Sequence, residues 1–146
     1  MGDSAGGGCY ILGGIECKSH GLPQPAGTIL ISPWIDMATH PREGGNALMD
    51  TDYVVGANTS TPCFAMKWLN GISPTDPEVN PIYRQPEELI GLSPQLILVG
   101  GGEFALQEAK DWATLCRKAD IRHEIICEWG QLHIYALGSA CIEPSV

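Results

Sequence analysis

Gly2-Asp3-Ser4-Ala5-Gly6, followed by Gly7-Gly8, decides how this chain of 146 residues is read. The pentapeptide matches G-x-S-x-G, the pattern of a serine raised on a sharp strand-to-helix turn. The reason for the pattern is steric. A serine on such a turn has a strained backbone, and only small neighbours let strand and helix pass so closely. The following helix points its N-terminus at the serine and offers a backbone N–H, here from Ala5, to a developing oxyanion. Cys9 to Ile15, small and apolar, continues as that helix.

Two further apolar runs read as buried strands. Gly27-Thr28-Ile29-Leu30-Ile31-Ser32 is short and β-branched, and Pro33 closes it. Gln95-Leu96-Ile97-Leu98-Val99 ends at Gly100-Gly101-Gly102. A third strand is expected over 122–128. Between them lie helical patterns. In 103–119, Ala105, Ala109, Trp112, Cys116 and Ala119 recur on one face, with Lys110, Asp111, Arg117 and Lys118 elsewhere. Thr61 to Leu69 is a second helix, and 134–141 a last short one. Ser73 to Pro86 holds Pro74, Pro77, Pro81 and Pro86 and is expected to be mostly irregular. Helices alternating with continuous apolar strands predict an α/β protein with a parallel sheet.

A nucleophilic serine needs a base, and the base an orienting acid. Parallel sheets build their sites on loops at the C-terminal strand ends. Glu103 follows one strand and His133 the next, so topology puts both at the edge where Ser4 stands. Taken singly, each has a plainer reading. Glu103 also suits a helix first turn, where the dipole favours a carboxylate. His133 also suits an ordinary loop, and G-x-S-x-G an ordinary turn. Asp36 comes too early, His20 and His40 lie in early loops, and His123 begins its strand at the opposite end.

Composition narrows the alternatives. Hydrophobic residues at 44% give the chain a core to bury, and 18 Gly and 11 Pro imply many turns. Eight basic and 17 acidic residues give a net charge of −9, which argues against nucleic acid and anionic membranes as partners. No apolar run approaches the roughly 18 residues of a membrane span, and no secretory leader is read at the start. The six cysteines form no C-x-x-C pair and have no histidine at metal-ligand spacing, so they are expected as reduced thiols, with Cys9, Cys116 and Cys127 in apolar segments.

Taken together, these stretches resemble the hormone-sensitive-lipase-like esterases, the fold-3 group of the α/β-hydrolases. The resemblance rests on Gly2-Asp3-Ser4-Ala5-Gly6-Gly7, Ile31-Ser32-Pro33-Trp34-Ile35-Asp36, Asp76-Pro77 with Pro81-Ile82-Tyr83, Leu96-Ile97-Leu98-Val99-Gly100 and Gln131-Leu132-His133. Glu103-Phe104-Ala105-Leu106 and Glu128 to Tyr135 look like the family's fungal, steryl acetyl hydrolase-like members. The resemblance implies a partial α/β-hydrolase fold, a parallel half-sheet with flanking helices. It covers 1–146 as a single domain lacking its first half, with 34–90 as a partly irregular insert. It implies Ser4 as nucleophile, His133 as base, Glu103 as acid, a small-molecule ester substrate, and no cofactor or metal. The family's His-Gly-Gly oxyanion segment and the strand entering the turn lie upstream of the matched stretch. Two consequences are expected: the 27–32 strand has an uncovered edge, and Ser4 lacks a strand to hold it. The alternative is therefore a catalytically impaired or non-catalytic chain. Trp34, Met37, Tyr53, Phe64, Met66 and Trp68 are candidates for an apolar substrate pocket, though each also suits an ordinary core or loop.

Overall fold

The computed structural model describes residues 1–38, 52 and 60–138, with the side chains of 60–64 left aside. His40, Tyr53, the side chain of Phe64 and the end of the expected 134–141 helix lie outside the described residues. The elements run β1 (Gly2–Asp3), α1 (Ala5–Ser19), β2 (Thr28–Ile31), α2 (Ser60–Leu69), a 3₁₀ turn (Pro81–Tyr83), α3 (Pro86–Leu89), β3 (Gln95–Gly100), α4 (Leu106–Lys118), β4 (His123–Glu128) and α5 (Tyr135–Gly138). The four strands form one sheet in the order β1-β2-β3-β4, every pair parallel.

Of two expectations about the start of the chain, the uncovered edge of β2 holds only for Thr28 and Ile29, and the unsupported Ser4 is corrected. Gly2 and Asp3 form a strand, paired with Leu30 and Ile31, so the end of β2 has a neighbour. Ser4 is held as well. Its N–H donates to the Ile31 carbonyl at 3.0 Å, and its own carbonyl accepts from Trp34 N at 2.9 Å and Gly7 N at 3.0 Å. Main-chain bonds from β2 and from the following Pro33-Trp34 segment thus fix the turn.

The core lies on one face of the sheet. Leu30, Ile97 and Val99 project into it, and α1 covers them with Ile11 and Ile15, α4 with Ala109, Trp112, Ala113 and Cys116. Trp112 is fully buried, and its indole N–H donates to the Gln95 amide oxygen Oε1 at 2.7 Å. The opposite face corrects the reading of fully buried strands: Ile29 and Ile126 are each 38% exposed. The period-2 pleat sends them away from α1 and α4. β4 is an edge strand, and Trp129 just beyond it is 90% exposed.

Helices α1 and α4 end in the same way. Leu22 N bonds to Cys17 O and Gly21 N to Lys18 O; Ile121 N bonds to Cys116 O and Asp120 N to Arg117 O. Each is a Schellman closure, with Gly21 at φ 62° and Asp120 at φ 55°. Of the described cysteines, Cys116 is buried and Cys17 half-buried, but Cys9 and Cys127 are exposed rather than packed in the core; Cys63's side chain and Cys141 lie outside the described residues. Cys127 sits on the edge strand, and Cys9 on the side of α1 that lines a cavity.

Candidate active site

All four strands are parallel, so the segments leaving their C-terminal ends share one edge. Ser4 leaves β1, Ser32 leaves β2, Glu103 follows β3 and His133 follows β4. Ser4 occupies the turn between β1 and α1 at φ 49°, ψ −125°, a conformation rare for a residue with a side chain. The small neighbours are required: a Cβ on Gly2 would run into the Gly6 carbonyl, and one on Gly8 would sit 2.7 Å from the Trp34 oxygen. Ala5 opens α1, and its N–H is among those for which a helix provides no carbonyl.

The structure brings Ser4, His133 and Glu103 together. His133 Nε2 lies 2.9 Å from Ser4 Oγ. On the other side of the ring, His133 Nδ1 lies 3.6 Å from Glu103 Oε1, beyond the roughly 2.6–3.2 Å of a tight hydrogen bond. The imidazole is thus closer to the serine than to the acid. The cause is visible in the carboxylate, which is anchored through its other oxygen. Glu103 Oε2 accepts from Ser32 Oγ at 2.6 Å and from Gly100 N at 3.0 Å. Glu103 is fully buried and His133 is 5% exposed. Phe104 packs its ring against the imidazole, centroids 4.7 Å apart.

The two loops carrying Glu103 and His133 meet through their backbones. Gly101 N donates to Glu128 O at 2.7 Å and Gly102 N to Gln131 O at 2.8 Å. A Cβ on Gly100 would overlap the Gln131 carbonyl, which explains the glycine run. Tyr135 opens α5 just beyond the second of these loops. Its partial burial pushes the phenol above its ordinary 10.0, with repulsion from Glu128, Cys127 and Glu103 adding to it.

A cavity of about 390 Å³ opens beside Ser4. Trp34, Met37 and Trp68 line it as expected, joined by Leu12, Val79 and Phe104. Met66 points elsewhere and is 67% exposed. Among the described residues, no group of three or more His, Cys, Asp or Glu side chains could hold a metal ion.

The profile of the family described as "alpha/beta hydrolase fold" matches residues 1–137. The chain belongs to this family. Among its relatives, an acetyl-hydrolase of Streptomyces hygroscopicus is 32% identical over 123 residues, covering 81% of this chain and 38% of its own length. An esterase of Acinetobacter venetianus is 27% identical over 121 residues, covering 83% and 39%. Two solved α/β-hydrolases superpose closely. An esterase/lipase from an uncultured bacterium gives a TM-score of 0.84 at 26% identity, covering 97% of this chain and 45% of its own. EstE7, a hormone-sensitive-lipase homologue from a metagenome library, gives 0.86 at 27% identity, covering 97% and 47%. The chain therefore spans about two fifths of the length of the curated relatives it matches.

Within this α/β-hydrolase sheet the competing residues that are described, Asp36, His20 and His123, have other partners than Ser4. The Asp36 carboxylate accepts from Tyr83 Oη at 3.1 Å and from the Ala38 amide at 3.0 Å. His20 pairs with Glu16 at the exposed end of α1. His123 bonds Ile121 O at the N-terminal end of β4. Sequence reasoning missed Ser32 and Phe104. Phe104 adjoins the acid in sequence, which was a usable signal; nothing local in Ser32-Pro33 announces a contact with Glu103.

Proposed function

We propose that the chain carries the Ser4-His133-Glu103 triad of a serine carboxylester hydrolase working through an acyl-enzyme. The observation that carries this reading is the 2.9 Å separation of Ser4 Oγ and His133 Nε2, with the serine raised on its strained turn. His133 takes the hydroxyl proton as Ser4 Oγ attacks the ester carbonyl. The Ala5 N–H meets the oxyanion, a donor of the kind whose loss costs roughly 10²–10³ in rate. His133 then protonates the departing alcohol. In the second half it takes a proton from water, which attacks the acyl-enzyme and releases the acid. Glu103 orients the imidazole and stabilises its cationic form.

The substrate reading is an ester of a short acid, acetate foremost, with a bulky apolar alcohol of the steryl type. Relatives named acetyl-hydrolase and esterase support the acyl side. The tryptophan-, methionine- and phenylalanine-lined cavity supports the apolar partner.

Fluorophosphonate labelling tests the reading, because the probe reports a serine already activated by its histidine. Labelling of Ser4 in the folded chain, lost in Ser4→Ala and in His133→Ala, is the expected result. Labelling that persists in Ser4→Ala, or none at all in a chain with native circular dichroism, overturns the assignment. Loss of p-nitrophenyl acetate hydrolysis in the same two variants provides a second readout.

A further inference from the structure

Ser32 is a fully buried hydroxyl standing between the two loops that carry Glu103 and His133. It sits at the C-terminal end of β2 at φ 47°, a backbone region that serine enters only under constraint. Its N–H is tied to the Leu98 carbonyl at 2.7 Å, which fixes the turn and the direction of the side chain. Ser32 Oγ donates to Glu103 Oε2 at 2.6 Å and accepts the Ile134 N–H at 2.9 Å. The direction of both bonds is forced. A carboxylate can only accept and an amide N–H can only donate, so the single hydroxyl proton lies toward Glu103.

Ile134, the next residue after His133, is itself at φ 54°. A β-branched residue there is an outlier that surrounding bonds must hold. The same hydroxyl therefore anchors the far oxygen of the acid and the backbone adjoining the base. Together with Gly100 N on Oε2, it leaves Oε1 as the carboxylate oxygen turned toward His133 Nδ1.

We propose that Ser32 is a positioning residue for this site: through one hydroxyl it sets both the carboxylate of Glu103 and the backbone next to His133. The inference rests on the triad reading above. It says that the acid and base loops are registered by a group donated from a third strand end, one that touches no substrate.

The test uses Ser32→Ala and Ser32→Gly in the full chain. The glycine variant removes the hydroxyl while relieving the positive φ, so it guards against simple misfolding. Three readouts are compared with wild type. The first is p-nitrophenyl acetate kinetics, where kcat is expected to fall on the order of 10²-fold with KM within about twofold, as for a misplaced catalytic group. The second is a cycle with Glu103→Ala. If Ser32 acts through Glu103, removing its hydroxyl in that background costs less than about twofold more, whereas a purely structural loss would add in full. The third is the far-downfield proton resonance of a His133 Nδ1–H facing a carboxylate, expected in wild type and lost or shifted in both variants.

Wild-type kcat in both folded variants, or full additivity in the cycle, overturns the role of Ser32 and leaves the esterase reading standing. A wild-type chain that neither labels nor hydrolyses overturns the esterase reading, and the resonance then decides Ser32 alone. Its loss in both variants supports the positioning role. Its persistence in both, or its absence from wild type, overturns it.

Discussion

At the scale of single residues, Glu103 shows how a buried carboxylate is divided between two tasks. One oxygen is spent on Ser32 and Gly100, the other faces the imidazole. Glu103→Gln preserves the shape but sets an amide against this pattern. With its oxygen on the two donors, its NH₂ faces Nδ1 and selects the wrong tautomer. A kcat loss on the order of 10⁴-fold with near-native stability is expected, read by aryl-ester kinetics and thermal melting. The cysteines provide a second contrast. Burial pushes the Cys116 thiol from 9.0 up to about 12, whereas Cys9 and Cys127 are exposed. Iodoacetamide at pH 8, followed by peptide mass mapping, should modify Cys9 and Cys127 and spare Cys116 until denaturant is added. The sign of the linkage follows. The unfolded thiol ionises near 9 while the folded one keeps its proton, so the native chain binds more protons between those values. Stability contributed by Cys116 is intact below pH 9 and is lost as pH rises toward 12. Cys116→Ala should flatten the alkaline fall of the urea midpoint.

At the scale of elements, α4 is the helix on which the core closes. Trp112 fills the space over β3 and spends its N–H on Gln95. Trp112→Ala should cost about 3–5 kcal/mol, measured by urea unfolding. Gln95→Leu, which orphans the indole N–H, should cost about 1–3 kcal/mol. Such elements differ in how plainly the sequence announced them. The apolar spacing of Ala109, Trp112 and Cys116 made α4 legible, yet the helix starts at Leu106, three residues later than expected, because Glu103 is turned inward to the site. Gly21 closes α1 in a left-handed conformation open to glycine, but the identical closure of α4 uses Asp120 in the same region, and no glycine flags it. β1 is two residues long, too short for any periodicity, and exists only through its pairing with β2. The same logic governs the site. That Ser4, Glu103 and His133 meet at one sheet edge was readable, because motif, chain order and strand ends coincide. Ser32 was not, because its meaning is a bond to a residue 71 positions away.

At the scale of the whole molecule, the described strands run from doubly flanked β3 to singly flanked β4. β3 has neighbours on both sides, while β4 has one. Amides of β3 should therefore exchange with deuterium most slowly and those of β4 distinctly faster, as resolved by peptide-level mass spectrometry. The exposure of Trp129 carries a different consequence, an optical one. Trp112 is fully buried and Trp34 is 7% exposed, whereas Trp68 is 51% and Trp129 90% exposed. The emission band is thus a sum of blue and red components, and excitation at the red edge selects mainly the indole at the tip of the loop that leads to His133. Collisional quenchers sort the components further. With a net charge of −9 and Glu128 beside Trp129, iodide is repelled and caesium attracted, while neutral acrylamide is indifferent to charge. The ratio of caesium to iodide quenching is then a local electrometer of that loop, legible without any label.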